Sequence, residues 1–354
     1  MKKPTTVLIV DDSLLIRQMF SEMLSSEPDI SVLGTASDPF EAREKIKSLN
    51  PDVLTLDIEM PKMDGLSFLE KIMTLRPMPV VMVSSLTQKG TDATIRALEI
   101  GAFDYLGKPV SNQTSETIGA LKIQLVEKVR AAAAANIKQR SVTHQPSSSL
   151  IVPFHPSRGT SDKIIAIGAS TGGVEALREV FIRLPENCPP IVVTQHMPEG
   201  FTKSFASRLN TLSQVTVAEA SNHARLKPGH AYLAPGNKHL KIVRIGSDFV
   251  CKLDDGPSVS GHRPSVDVLF HSVGEAAGSQ AVGVILTGMG RDGADGMKFM
   301  RERGAYNIAQ NKSSCVVYGM PQMATKAGAT HIEVSLTDIP AVMLRICEKQ
   351  GAAA

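Results

Sequence analysis

The chain has 354 residues, 42% apolar and 21% charged, with a formal net charge of +3. That length exceeds one ordinary core and suits two domains with a connector, and the near-balanced charge argues against wholesale nucleic-acid binding. No apolar run approaches the roughly 20 residues that cross a bilayer, so direct membrane insertion is not expected. The apolar stretch in MKKPTTVLIVDD is too short for a signal peptide and ends in two acids. Cys188, Cys251, Cys315 and Cys347 lie far apart without a CxxC pair. That spacing argues against zinc and fits a reduced, cytoplasmic chain.

Residues 4–128 alternate short apolar runs with helical patterns. TTVLIV reads as a strand and Ser13 to Leu24 as a helix. ISVLGTA is a strand, followed by a helix from Pro39 to Leu49 with Asp38 as its N-cap. DVLTLD, PVVMVSS and FDYLG read as strands, with helices at Leu66 to Thr74, Thr91 to Ile100 and Glu116 to Ala135. Five βα units in a row predict a doubly wound parallel sheet.

Residues 129–161 read as a linker: AAAAANIKQR continues the helix, and SVTHQPSSSLIVPFHPSRGTSD after it is rich in Ser, Pro and polar residues. Val152 and Phe154 are its candidates for docking on a domain. Residues 162–350 form a second α/β domain. Strand Lys163–Ile167, helix Gly173–Leu184 and strand Ile191–Thr194 make a βαβ unit. VTVAEA, HAYLAP, KHLKIVRI and FVCKLD then suggest an inserted antiparallel patch, with Pro235-Gly236-Asn237 as a hairpin signal. Helices follow at Ser265–Ala277 and Asp292–Arg303, and strands at Ala281–Leu286 and Tyr306–Gln310.

In a parallel α/β sheet, residues just past the strand C-termini converge on one crevice. In the first domain these are Asp11 and Asp12, then Asp57, then Ser84 and Ser85, then Lys108. Three carboxylates repel one another unless a cation joins them, and hard oxygen ligands with room for water suit Mg²⁺. A lysine and a hydroxyl at the rim can hold a phosphoryl group. Taken singly, each acid could be a cap or turn residue; five matching strand ends make that reading of the set improbable. VDDS, LDIEMPKMDG, VSS and GKP, in that order, resemble the receiver domain of bacterial two-component response regulators. The resemblance implies a flavodoxin-like (βα)5 fold and phosphoryl transfer from a histidine kinase onto Asp57. It also implies Mg²⁺ held by Asp11, Asp12 and Asp57. Ser84 would be the switch hydroxyl, Lys108 the charge that senses the acyl phosphate and Tyr105 the aromatic rotamer partner.

In the second domain, Ser170, His196 and Asp292 each follow an apolar run, in KIIAIGASTGG, PPIVVTQHMP and AVGVILTGMGRDG. Glycines beside Ser170 permit a sharp turn, and the helix that follows offers free N–H groups to negative charge. A serine hydroxyl needs a base, and His196 is the candidate; an imidazole base works best when a carboxylate fixes its tautomer. Asp292 can supply that carboxylate, with Asp295 as its rival one turn into the helix. Alternatively, Ser170 and Asp292 are helix caps and His196 a loop residue. No HExxH-like spacing supports a catalytic metal, and no cofactor is expected in this domain.

GASTGG, TQHMP, GHRPSVDVLF and LTGMGRDGA together resemble the catalytic domain of chemotaxis protein-glutamate methylesterases. The resemblance implies a Rossmann-like sheet and a Ser170–His196–Asp292 triad, with Thr171 and Met289 lining the site. It implies hydrolysis of glutamate methyl esters on chemoreceptor cytoplasmic domains, deamidation of receptor glutamines, and a receiver that blocks the crevice until phosphorylated. Two other classes stay open. A DNA-binding output would need a helix-turn-helix and a basic face, where the chain offers α/β pattern and glycine-rich strand ends. A non-enzymatic receiver-linked module could hold a nucleotide at GASTGG, although the spacing is not GxGxxG.

Overall fold

The computed structural model describes residues 3–85, 87–109, 115–135, 151–155 and 163–351. The chain divides into two compact units, Met1–His144 and Gln145–Ala354.

The first unit runs β1 (Thr5–Val10), α1 (Leu14–Ser25), β2 (Ile30–Ala36), α2 (Pro39–Leu49), β3 (Val53–Asp57), α3 (Gly65–Leu75), β4 (Val80–Ser84), α4 (Gln88–Ile100), β5 (Asp104–Gly107) and α5 (Ser115–Ala134). Its parallel sheet has the order β2-β1-β3-β4-β5, the flavodoxin-like arrangement. Helices on both faces demand strands that are apolar throughout. Val7, Leu8, Ile9, Leu54, Leu56, Val81 and Met82 are accordingly fully buried. Side-chain caps set the helix starts: Ser13, Asp38, Asp64 and Thr87 each accept a backbone N–H from the first turn of the helix that follows. The Thr87 cap starts α4 at Gln88, ahead of the Thr91 expected from apolar spacing alone.

Part of the predicted linker packs on the second unit. Phe154 is buried there, and Val152 N–H donates to the Arg183 carbonyl at 3.0 Å. Asn187 Nδ2 donates to the Phe154 carbonyl and His155 N–H to Glu348 Oε1. Of the predicted linker, residues 129–134 still belong to the helix Ser115–Ala134, and 136–150 and 156–161 lie outside the described residues.

The second unit continues with β6 (Ile164–Ala169), α6 (Gly173–Phe181), β7 (Ile191–Gln195), α7 (Phe201–Leu212), β8 (Thr216–Glu219), β9 (His230–Leu233), β10 (His239–Ile245), β11 (Asp248–Asp254) and α8 (Val266–Ala277). After a short 3₁₀ turn come β12 (Ala281–Ile285), α9 (Ala294–Glu302), β13 (Tyr306–Gln310), α10 (Met320–Lys326), β14 (Ile332–Val334) and α11 (Ile339–Gly351). The main sheet has seven strands in the order β14-β13-β12-β6-β7-β9-β8, every pairing parallel. The fold is Rossmann-like, and the strand order reverses between β6 and β12.

The antiparallel patch is smaller than the sequence suggests. Among the strands of the described residues, only β10 and β11 are antiparallel partners; β8 and β9 extend the parallel sheet instead. Ala231 and Leu233 of β9 are both buried, as an internal parallel strand requires. Pro235-Gly236-Asn237 is therefore the exit from the main sheet, and Gly246-Ser247, with Gly246 at φ 63°, makes the hairpin turn. A Cβ on Gly236 would come within 2.2 Å of the Glu199 amide nitrogen, so this glycine permits close approach to the loop after His196. The hairpin's Leu240, Ile242 and Cys251 share a core with Leu269, Phe270 and Val273 of α8. That packing fixes the N-terminal end of α8 beside β6 and β12.

Candidate active site and acidic pocket

Ser170 follows β6, His196 follows β7 and Asp292 follows β12, so the switch in strand order gathers all three. Ser170 Oγ lies 3.1 Å from His196 Nδ1, and His196 Nε2 lies 2.7 Å from Asp292 Oδ2. One tautomer fits, with Nε2–H donating to the carboxylate and the Nδ1 lone pair facing the serine. The ring is turned end for end relative to the usual template, where Nε2 faces the serine, yet both edges keep their partners.

Asp292 caps α8 rather than its own helix. Its Oδ1 accepts from Ser265 Oγ at 2.8 Å and Asp267 N–H at 3.0 Å, and its Oδ2 accepts from Val266 N–H at 2.7 Å. Burial alone would raise the pKa of Asp292, but His196 and these amides outweigh it and hold the carboxyl at about 2. Its neighbour Asp267 goes the other way: burial, and secondarily the Asp292 charge, push it up to about 6. The rival acid Asp295 is exposed and pairs with Arg291 at 2.8 Å, away from the imidazole.

Two residues that pattern reading does not single out hold the loops together. Gln195 Nε2 donates to the carbonyls of Ser170 at 2.9 Å and His196 at 3.2 Å, tying the serine turn to the histidine turn. Thr287 accepts the Ser170 N–H on its carbonyl at 3.1 Å, and its hydroxyl donates to the Thr171 carbonyl at 3.0 Å. Both sit at the last positions of apolar runs, and that is the only trace they leave in the sequence. Thr171 is buried. Gly288 abuts the serine so closely that a Cβ there would lie 2.9 Å from Ser170 Cβ, which brings the half-buried Met289 to the site's edge.

The glycines after Ser170 serve packing. A Cβ on Gly172 would meet Val316 at 2.7 Å, and one on Gly173 would meet Gln195 Oε1 at 2.1 Å. Protein atoms therefore occupy the space that a nucleotide-cradling loop leaves to phosphate.

In the first unit, carboxylate oxygens of Asp11, Asp12 and Asp57 lie within 4.8 Å of one another. Lys108 Nζ sits 2.7 Å from Asp57 Oδ2 and 3.1 Å from Asp11 Oδ2. Neither of these buried oxygens receives a well-angled hydrogen bond. Burial, reinforced by the Asp11 charge, pushes Asp57 up to about 6 despite Lys108. Burial likewise raises Asp11. Hard oxygen donors with unsatisfied lone pairs, close-set and costly to leave charged, fit a divalent cation. Gly65 passes so near that a Cβ would lie 2.0 Å from the Asp57 carbonyl oxygen, which accounts for the glycine in MPKMDG. Ser84 is buried, its hydroxyl directed to the carbonyls of Ser85 and Gly90. Tyr105 is buried below the Lys128 ammonium, which stands 5.7 Å from the ring centroid.

Among the described residues, no helix is long and apolar enough to cross a membrane. Residues 165–343 match the family model for the CheB methylesterase, and residues 7–118 that for the response regulator receiver domain. Two similar proteins are both named protein-glutamate methylesterase/protein-glutamine glutaminase. One, from Thiobacillus denitrificans, is 53% identical over 98% of this chain and 97% of its own. The other, from Pectobacterium atrosepticum, is 54% identical over 96% of this chain and 95% of its own. The crystal structure of the Thermotoga maritima CheB methylesterase catalytic domain covers 52% of this chain and 98% of its own, with 39% identity and a TM-score of 0.51.

Proposed function

The chain belongs to the CheB methylesterase family, with a response regulator receiver domain ahead of the esterase domain, and from that premise we propose that Ser170, His196 and Asp292 form its catalytic triad. The enzyme is a protein-glutamate methylesterase and protein-glutamine glutaminase acting on chemoreceptors in chemotaxis. The observation that carries the triad is the unbroken relay from Ser170 Oγ through His196 to Asp292, at 3.1 and 2.7 Å.

His196 Nδ1 takes the Ser170 proton as Oγ attacks the ester carbonyl carbon. The imidazolium then donates that proton to the departing methoxide, and methanol leaves. Water, deprotonated by the same nitrogen, cleaves the acyl-enzyme to glutamate. On a glutamine the leaving group is ammonia. Asp292, held ionised by its own donors, stabilises the imidazolium without taking its proton. The Ser170 N–H already serves the Thr287 carbonyl. Oxyanion donors are therefore assigned to backbone N–H groups of the Met289 loop opposite, with Thr171 lining the site.

The receiver takes a phosphoryl group onto Asp57 from a histidine kinase. Mg²⁺ held by Asp11, Asp12 and Asp57 would offset the phosphoryl charge. Lys108 would pair with the new anion, and Ser84 and Tyr105 would repack in response. Asp11 and Asp57 oxygens that meet Lys108 without a well-angled hydrogen bond support the metal assignment.

A serine-directed fluorophosphonate tests the nucleophile. Peptide mapping should find the adduct on Ser170 in wild type and none in Ser170→Ala. Labelling of another serine, with Ser170 untouched, would overturn the triad.

A further inference from the structure

His262 belongs to GHRPSVDVLF, whose Ser265, Val266 and Asp267 donate to the triad carboxylate but whose histidine the triad itself gives no task. Its ring lies face to face with that of His196, centroids 3.6 Å apart and planes 13° apart. The placement is built into the backbone. Val259 and His262 exchange both backbone hydrogen bonds at 3.0 Å, across Ser260 at φ 52° and Gly261 at φ 80°. That is a two-residue turn of the left-handed kind, and a serine holds such a conformation only at some cost. Ser260 Oγ reaches Asp267 Oδ2 at 3.3 Å, which ties the turn to the start of α8. Ser265, Val266 and Asp267 then donate to Asp292. One segment, 259–267, thus grips the triad carboxylate and also covers a face of the triad imidazole.

The His196 ring has two edges and two faces. Both edges are committed, to Ser170 and Asp292, and any rotation of the ring breaks both hydrogen bonds together. A parallel ring at stacking distance opposes that rotation. It also presents π density to a ring that becomes a cation when it takes the serine proton. Arg263, the next residue, would oppose such a cation, but its guanidinium is turned away, onto Asn237 Oδ1 and the carbonyls of Asp255 and Gly256. Among the described residues, the carboxylate facing His196 is Asp292, with Asp267 behind it.

We propose that His262 is a positioning residue of the esterase: its stacked ring holds His196 in the plane of Ser170 and Asp292 and stabilises the imidazolium during proton transfer. The inference rests on the triad reading and extends it to a fourth side chain.

The test uses the full chain, methylated receptor membranes and a small-molecule phosphodonor, with methanol release followed across pH. His262→Ala should lower kcat roughly three- to thirty-fold with little change in KM. His262→Phe, which keeps a ring face but no exchangeable proton, should recover most of that loss. The acidic limb of the pH–rate profile should move to lower pH in His262→Ala and stay in place in His262→Phe. The position of that limb does not depend on how much of a variant folds. Wild-type kinetics in His262→Ala would remove the role. Rescue by His262→Gln but not His262→Phe would replace stacking with hydrogen bonding or proton transfer. A limb that moves to higher pH in His262→Ala would mean a charged, repelling ring. Ser170→Ala, run alongside, separates the two readings. Retained activity there sinks the triad; an inactive Ser170→Ala beside an unaffected His262→Ala sinks only the stacking role.

Discussion

Asp57 ends β3 and Asp292 lies in the loop after β12, each in the crevice at the C-terminal ends of a parallel sheet and each almost wholly buried, yet the two units surround them oppositely. Asp292 is saturated with donors: a hydroxyl, two backbone amides and the imidazole. Asp57 faces Asp11 across Lys108 and keeps an oxygen without a well-directed hydrogen bond. The first is held at about 2 and the second pushed up to about 6. With the proposed roles, one crevice geometry yields a permanent anion that would orient a base, or an uneasy anion that would invite a cation and a phosphoryl group. The neighbours decide which, above all the N-terminus of α8.

The largest effects should come from cutting the saturated side. Ser170→Ala should lower methanol release by roughly 10⁴- to 10⁶-fold, and Asp292→Asn by roughly 10⁴-fold, since the amide favours the wrong imidazole tautomer. Retained turnover in Asp292→Asn would make the carboxylate a mere helix cap. Next in size is the coupling between the units. Deleting residues 1–140 should raise unstimulated esterase activity, and phosphodonor should stimulate wild type but not Asp57→Asn, by roughly 5- to 150-fold. Lower activity in the truncated chain would rule out simple occlusion. Gln195→Leu should cost roughly tenfold in kcat, because two carbonyls that fix the serine and histidine turns lose their shared donor; an effect confined to KM would contradict that role.

The smallest effect concerns the uneasy anion. Between its ordinary 3.8 and about 6, folded Asp57 holds a proton that the unfolded chain has released. Its contribution to stability should thus fall as pH rises through that window. Without Mg²⁺, Asp57→Asn should be more stable than wild type at neutral pH by roughly 1–3 kcal/mol and should lose that advantage below pH ~4. Adding Mg²⁺ should stabilise wild type more than the variant, as read by scanning calorimetry of the full chain. A wild type that is the more stable at neutral pH without metal would contradict the charge reading.

Much of this contrast is legible in the sequence because both crevices form at strand ends, and strand ends follow apolar runs. Ser170, His196, Asp292, Asp11 and Asp57 are all found that way. What the pattern hides is the direction of pairing and the supporting shell. VTVAEA and HAYLAP read as an antiparallel patch, but strand orientation is set by the connections before and between them, which the strand patterns themselves do not encode. Asp292 looks like a cap on its own helix and instead caps α8, which is adjacent only after β10 and β11 pack against it. Asp295 stays a rival in the sequence because one helical turn separates it from Asp292; only the placement of Arg291 sets it apart. Gln195 and His262 act through contacts with residues from other strands and turns, and periodicity carries no information about those.

One assay weighs the whole comparison: methanol release from methylated receptor membranes, with and without Mg²⁺ and phosphodonor, for wild type, Ser170→Ala and Asp57→Asn. Release should rise with phosphodonor in wild type, stay at the basal rate in Asp57→Asn and vanish in Ser170→Ala. Stimulation that survives in Asp57→Asn, or release that survives in Ser170→Ala, would contradict the roles given to these two crevices.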